Sequence, residues 1–234
     1  MDKAQINSAR SLYYQCFGEL LSFSFTRTKS AQHKLKECLA LMRANAFDEN
    51  LLKDFDALLI LLERESAMSE LAAEFDSIFI TPRGALGDTF SYLEEGFENS
   101  SALVCVKGIL AKTKLRKNER KFKDNEDNIG FCFSLMSELL RENDELAKEL
   151  FESVINASID DFCQSLFIHE NARIYKSVAN LISYFIEFER LCMQIQKPQG
   201  LSAKKVRNDL SRSEILRRET NQKRRQLEKS QRIS

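Results

Sequence analysis

The sequence predicts an all-α fold: a single globular helical bundle with a basic C-terminal extension. Three observations carry this. Apolar residues recur at steps of three and four, the spacing of one helix face, through most of the chain. Glycine and proline, which punctuate turns, number only seven and two in 234 residues. Strand-type alternation is hardly visible. With 43% hydrophobic residues, a chain of this length buries roughly 70% of its extended surface and needs no staples.

The elements follow in order. An opening amphipathic helix from about Lys3 to Phe25 carries Leu12, Tyr13, Phe17 and Leu20. A second runs from Ser30, a candidate N-cap, to Ala46. A third starts near Asp48 and includes LLKDFDALLILLERE, apolar enough to be central. A fourth, Met68 to Ile80, stops at Thr81-Pro82 because proline disfavours helix in the residue before it. The stretch TPRGALGDTFSYLEEGF then holds one of the prolines and three of the glycines and is expected to be the main irregular loop. Asn99, Ser100 and Ser101 offer a cap for a helix through Leu103, Val106 and Leu110. The charged linker KTKLRKNERKFKDNEDN comes next, a solvated face or the frame of a groove for a charged peptide.

From Asp124 to Leu140 short polar side chains open into an apolar stripe, Ile129, Phe133, Met136 and Leu140. Asp124, Asn125, Asp127 and Asn128 can accept hydrogen bonds from a helix's first N–H groups. The RENDE segment ends this helix or links it to the next, which carries Leu146 to Ile155. Ser158 with Asp161 is expected to open another short helix as a capping box. The last long helix, about Asn171 to Gln194, has the most regular stripe: Ile174, Val178, Leu181, Phe185, Phe188 and Cys192.

Net charge is zero, but it is unevenly spread. Residues 197–234 hold twelve Lys or Arg against four acids, so residues 1–196 are acidic by eight charges. The expected division is therefore a helical domain over 1–196 and a basic tail over 197–234, either disordered or an exposed helix that orders on a partner. Six scattered cysteines without a CxxC pair read as small buried hydrophobes in a reducing compartment. There is no signal-peptide run and no apolar stretch of membrane-spanning length, so the expected location is the cytoplasm.

Catalytic constellations are missing. His33 and His169 are the only histidines and neither sits in a motif. No phosphate-binding glycine loop is present, RGALG being too short for one. Acid pairs such as Glu94-Glu95, Asp160-Asp161 and Glu126-Asp127 say little without a pocket. These residues favour a helical binding module over an enzyme, with no cofactor and no metal.

Three blocks between about residues 10 and 190 resemble the TorD/DmsD family of redox-enzyme maturation chaperones. LAAEFDSIFITP, followed after a glycine-containing loop by Ser91-Tyr92, looks like the family's acidic-aromatic helix and Ser-Tyr element. Asp124 to Ile129 resembles its Glu-Pro-Asp-Asp-His-Ile hallmark, with Asn125 in place of proline and Asn128 in place of histidine. ARIYKSVANLISYFIEFE resembles its final helix. The chain has no Trp, although members often carry one near the binding region, and the basic tail lies outside the pattern.

The resemblance implies a TorD-type helical bundle that is no enzyme. It would bind the twin-arginine signal peptide, or the body, of a molybdenum-cofactor oxidoreductase precursor, such as a formate dehydrogenase or a dimethyl sulfoxide or trimethylamine N-oxide reductase, before export. Asp124, Glu126 and Asp127 would form an acidic lip for guanidinium groups. Asn128 would stand in for the histidine, Phe79, Pro82 and Tyr92 would line the apolar side, and Ser91 would belong to the same element. Homodimerisation is compatible with the resemblance, no DNA partner is expected, and membrane contact would be transient. The alternative reading is a helical adaptor acting through its basic tail on nucleic acid, ribosome or an acidic membrane surface.

Overall fold

In a computed structural model of the chain, residues 3–22, 29–81, 84–120, 122–198 and 220 are described. All their regular structure is helical except for one antiparallel bridge between Thr89 and Asn128. The bundle is built around α1 (Lys3–Leu20) and α7 (Ile129–Glu142), which share the most extensive packing of any two elements described. Glycine permits this crossing. A Cβ on Gly18 would lie 2.6 Å from Ser134 Oγ, and one on Gly130 would lie 2.6 Å from the Leu21 carbonyl oxygen, so neither helix could approach as closely with a side chain there. The Ser11 hydroxyl donates to the Ser137 carbonyl at 2.9 Å across the same interface.

Around this pair lie α2 (Lys29–Ala44), α3 (Leu52–Leu62) after a 3₁₀ turn at Glu49–Leu51, α4 (Ala67–Phe75), α6 (Ser101–Ala111), α8 (Asp144–Leu150), α9 (Asn156–Ile168) and α10 (Ile174–Met193). α10 is the second organising element, as its stripe predicts. Phe185 stacks on Tyr13 with ring centroids 4.9 Å apart and meets Tyr14 edge-on at 4.9 Å. Next to this aromatic cluster the Arg10 guanidinium forks onto Glu189, Nε to Oε1 at 2.6 Å and Nη2 to Oε2 at 2.9 Å, in a place closed to water. The start of α10 is capped from a distance. Glu74 Oε1 accepts from the backbone N–H of Arg173 at 2.7 Å and of Tyr175 at 2.9 Å, putting a carboxylate at the positive end of the helix.

Several expectations change at the boundaries. The first helix ends at Leu20 among the described residues, and residues 23–25 of its expected span lie outside them. Ser30 sits inside α2, which already includes Lys29. Ser158 opens nothing. Residues 144–168 form one helical stretch with a wide π turn at Phe151–Ile155, and the Ser158 hydroxyl is buried inside it. The actual cap is Asn143 in the RENDE segment, whose Oδ1 accepts from Glu145 N and Leu146 N. Three cysteines are buried (Cys16, Cys132, Cys163), Cys38 and Cys105 are half-buried, and Cys192 is exposed. No helix of the described residues is long and apolar enough to cross a membrane.

Candidate functional site

The expected irregular loop contains a short helix, α5 (Phe90–Glu95), and this converts the region into a site. Thr89 caps α5 by accepting from Tyr92 N at 3.3 Å, and Gly96, at φ 77°, ends it in the left-handed conformation that glycine tolerates. Before it, a second π turn at Asp76–Ile80 closes α4, and wide turns of this kind often mark functional positions. Leu86 N then donates back to the Ile78 carbonyl at 2.8 Å, and His169 Nε2 lies 3.0 Å from the Gly84 carbonyl oxygen, which fastens the loop to the end of α9.

The segment before α7 meets this loop side by side. Phe90 N donates to the Asp127 carbonyl at 3.0 Å and Ile129 N to the Asp88 carbonyl at 2.9 Å. Asn128 is the N-cap of α7: its Oδ1 accepts from Phe131 N at 3.3 Å while its Nδ2 donates to Asp88 Oδ2 at 3.2 Å. An amide does both jobs at once, so Asn128 sews the loop to the helix. Asp127 is fully buried, and its Oδ2 accepts from Ser91 N at 3.0 Å, where α5 begins. Ser91 Oγ in turn accepts from Ser100 N at 3.2 Å, joining α5 to α6.

One polar deficit remains. Asp127 Oδ1, Glu94 Oε1 and Ser100 Oγ are all shut off from solvent and have no hydrogen-bond partner. Glu94 and Asp127 interact: burial, then the neighbouring Glu95, then Asp127 push the Glu94 carboxyl up to about 7. Two carboxylate oxygens and a hydroxyl are thus buried without a donor from the described chain, an arrangement that costs free energy. Nothing similar holds for Glu126, whose carboxylate faces Lys117 at 3.3 Å and Lys107 at 3.8 Å. Lys117 folds inward from the charged linker and also donates to the Asp124 carbonyl at 3.2 Å.

The matching part of the chain is the part that builds this site. A family profile described as "Nitrate reductase delta subunit" matches residues 44–169, more than half of the sequence. The chain belongs to that family. Its members of the TorD type are redox-enzyme maturation chaperones, the group that the three sequence blocks resemble. A solved structure of a candidate redox enzyme maturation protein from Archaeoglobus fulgidus is similar at 16% identity with a TM-score of 0.48, covering 77% of this chain and 93% of that one. No curated relative matches the sequence.

Within this delta-subunit family member, the residues named from sequence divide into groups. Asp127, Asn128, Ser91 and Tyr92 come together around the junction of the loop, α5 and α7. Asp124 and Asp127 are buried rather than displayed at an exposed lip, and Glu126 is held by lysines, so the three acids do not act as one surface patch. Phe79 is a core residue stacked on Phe162 with centroids 6.2 Å apart. Pro82 lies outside the described residues, as does the tail apart from Lys197, Pro198 and Thr220. Tyr92 covers the loop closely enough that a Cβ on Gly87 would sit 2.2 Å from its ring. Glu94 and Ser100 are the members that sequence reasoning passed over. Glu94 was visible only as half of an acid pair, Ser100 only as a cap, and nothing local marks their convergence on Asp127.

A separate groove of about 460 Å³ lies between α9 and α10, bounded by Asp160, Phe167, Tyr184 and Glu187, with Lys197 at one end. Among the described residues no cluster of three His, Cys, Asp or Glu side chains is placed to hold a metal.

Proposed function

We propose that this maturation chaperone binds the paired arginines of a twin-arginine signal peptide on a molybdenum-cofactor oxidoreductase precursor in the cytoplasm, with Asp127 and Glu94 receiving a guanidinium. The observation that carries this reading is the missing donor: two buried carboxylate oxygens without partners, beside an unpartnered serine hydroxyl. A guanidinium supplies several N–H donors in a rigid fork together with a positive charge, which an ammonium cannot match geometrically. It would draw the proton off Glu94, since a cation at that point favours the ionised form. The loop through Gly84–Asp88 leads into α5 beside these acids and is held by Leu86 N on the Ile78 carbonyl and by His169 on the Gly84 carbonyl.

The family's description points to nitrate reductase as one class of client; formate dehydrogenases and the dimethyl sulfoxide and trimethylamine N-oxide reductases are the others to try. Binding and sequestration require no catalytic group, in keeping with a chaperone rather than an enzyme.

The test is calorimetric titration of the full chain with twin-arginine signal peptides from this panel, each compared with a peptide whose two arginines are replaced by lysines. Saturable binding that weakens at least tenfold in the lysine peptides and in Asp127→Asn agrees with the reading. Binding indifferent to both changes relocates the site, and absence of binding to every peptide by the folded protein rejects signal-peptide recognition.

A further inference from the structure

The chain leaves α10 in an unusual direction. Gln194 adopts φ 55°, which turns the backbone sharply, and Ile195 N closes the turn on the Arg190 carbonyl at 3.0 Å. The following residues run back across α9 instead of continuing along the α10 axis. The Gln196 carbonyl accepts from Asn156 Nδ2 at 3.0 Å, and Lys197 Nζ sits 3.3 Å from both Asp160 and Glu187. The described stretch therefore ends, at Pro198, beside the Lys197 end of the α9–α10 groove.

The groove has a direction. Asp160, Gln164 and Phe167 line the α9 wall, and Glu187, Ser183 and Ala179 line the α10 wall in the opposite order. Seven residues of helix span about 10 Å. The groove thus leads from the point where the tail starts to Phe167, which is 49% exposed. Two residues beyond Phe167 stands His169, fastened to Gly84 of the loop that leads into α5 and the buried carboxylates. The groove therefore runs from Lys197 toward the C-terminal end of α9, where His169 holds the loop.

The tail has the composition to follow that path. Leu201, Val206 and Leu210 lie in its first part, and two arginine pairs, Arg217-Arg218 and Arg224-Arg225, lie further on. Twenty residues separate Lys197 from Arg217, a reach of about 30 Å even if wholly helical. The tail's excess of eight positive charges equals the body's excess of negative ones, so attachment to its own body is electrostatically favoured at low salt.

We propose that residues 199–234 are an intramolecular competitor for the client: the tail follows the α9–α10 groove, and one of its arginine pairs occupies the Glu94–Asp127 pocket until a signal peptide displaces it. This rests on the reading of the pocket as a receptor for paired arginines. A tethered ligand acts at an effective concentration on the order of millimolar. Even a weak intrinsic contact then lowers the apparent affinity for an outside peptide about tenfold or more.

Two measurements on the full chain test it. In the first, all four arginines, Arg217, Arg218, Arg224 and Arg225, are changed to Gln, and the affinity for a twin-arginine peptide is compared with that of the parent. The expected result is binding about tenfold tighter in the variant, with the gap narrowing as salt is raised. In the second, lysines of the parent are coupled to nearby carboxylates with a water-soluble carbodiimide and the links are mapped by mass spectrometry. Lys204 or Lys205 should join Asp160 or Glu187, and Lys223 or Lys229 should join Glu95 or Glu126, within single molecules and independently of protein concentration. Unchanged or weaker peptide binding in the variant, or tail links found only between molecules, overturns the proposal. So does an absence of tail links in a protein whose tail retains RNA or anionic vesicles, an outcome that favours the adaptor role. If neither protein binds any peptide while the intramolecular links form, the tail contact stands and the signal-peptide reading of the pocket falls.

Discussion

Two buried carboxylate sites in this bundle have opposite hydrogen-bond accounts. At the α1–α10 junction both oxygens of Glu189 accept from the forked guanidinium of Arg10. At the junction of α5 and α7, Asp127 and Glu94 each keep an oxygen that nothing in the described chain satisfies. Both sites remove acids from water, but only the first supplies its own arginine. The contrast teaches that a completed ion pair holds the fold together, whereas the incomplete site is the one proposed above to take its arginine from a partner.

If this comparison is sound, Arg10→Met should be the most destructive single change. It leaves Glu189 buried without its donor, a loss of about 3–5 kcal/mol, seen as a fall in Tm of about 10 °C. Peptide binding by the fraction that remains folded should be unaffected. Asp127→Asn should do the reverse: signal-peptide affinity falls at least tenfold while Tm holds or rises slightly, because an amide can still accept from Ser91 N and can donate toward Glu94. A Tm loss matching that of Arg10→Met would make Asp127 a structural residue and erase the distinction between the two sites. Asn128→Ala removes a helix cap and the link to Asp88, and should cost about 1 kcal/mol in chemical denaturation, with a smaller effect on binding than Asp127→Asn.

The subtlest effect concerns pH. The Glu94 carboxyl titrates near 7 in the folded chain, against about 4.3 when unfolded, so the folded state holds this proton more tightly. Its stabilising contribution is complete below about pH 4 and disappears as pH rises through 7. Glu94→Gln should therefore flatten the decline of Tm between pH 5 and 8 and leave the variant the more stable of the two at pH 8. In the parent, peptide affinity should weaken as pH falls below 7, because the guanidinium must then displace a proton; the Gln variant should lose that dependence.

How much of this could be read in advance varies with the kind of residue. The α7 and α10 stripes were legible because each helix buries one continuous face, and periodicity reports faces. Asp127 and Asn128 were legible as helix-opening residues and as part of the hallmark, though not as a buried pair with separate tasks. Glu94 was illegible because its meaning comes from Asp127, 33 positions away in the sequence, and from burial, which no local pattern encodes. The same applies to Glu74, which caps a helix 99 residues downstream. α5 was hidden because its apolar positions are too few for a periodic signal and its flanking glycines read as loop. Ser158 misled in the other direction: a serine followed by an acid has the form of a capping box, but the helix was already running through it.

The crossing at Gly18 and Gly130 has a consequence for the order in which the protein can be made. α1 leaves the ribosome well before its main partner, α7, which begins more than a hundred residues later, and Arg10 waits for a glutamate 179 positions on. Apart from its packing on α2, this helix therefore stays without these long-range contacts until α7 and α10 are made, and topology of this sort slows folding. The Glu94–Asp127 site also precedes residues 217–225 in order of synthesis, so the segment proposed to compete for it follows it out of the ribosome.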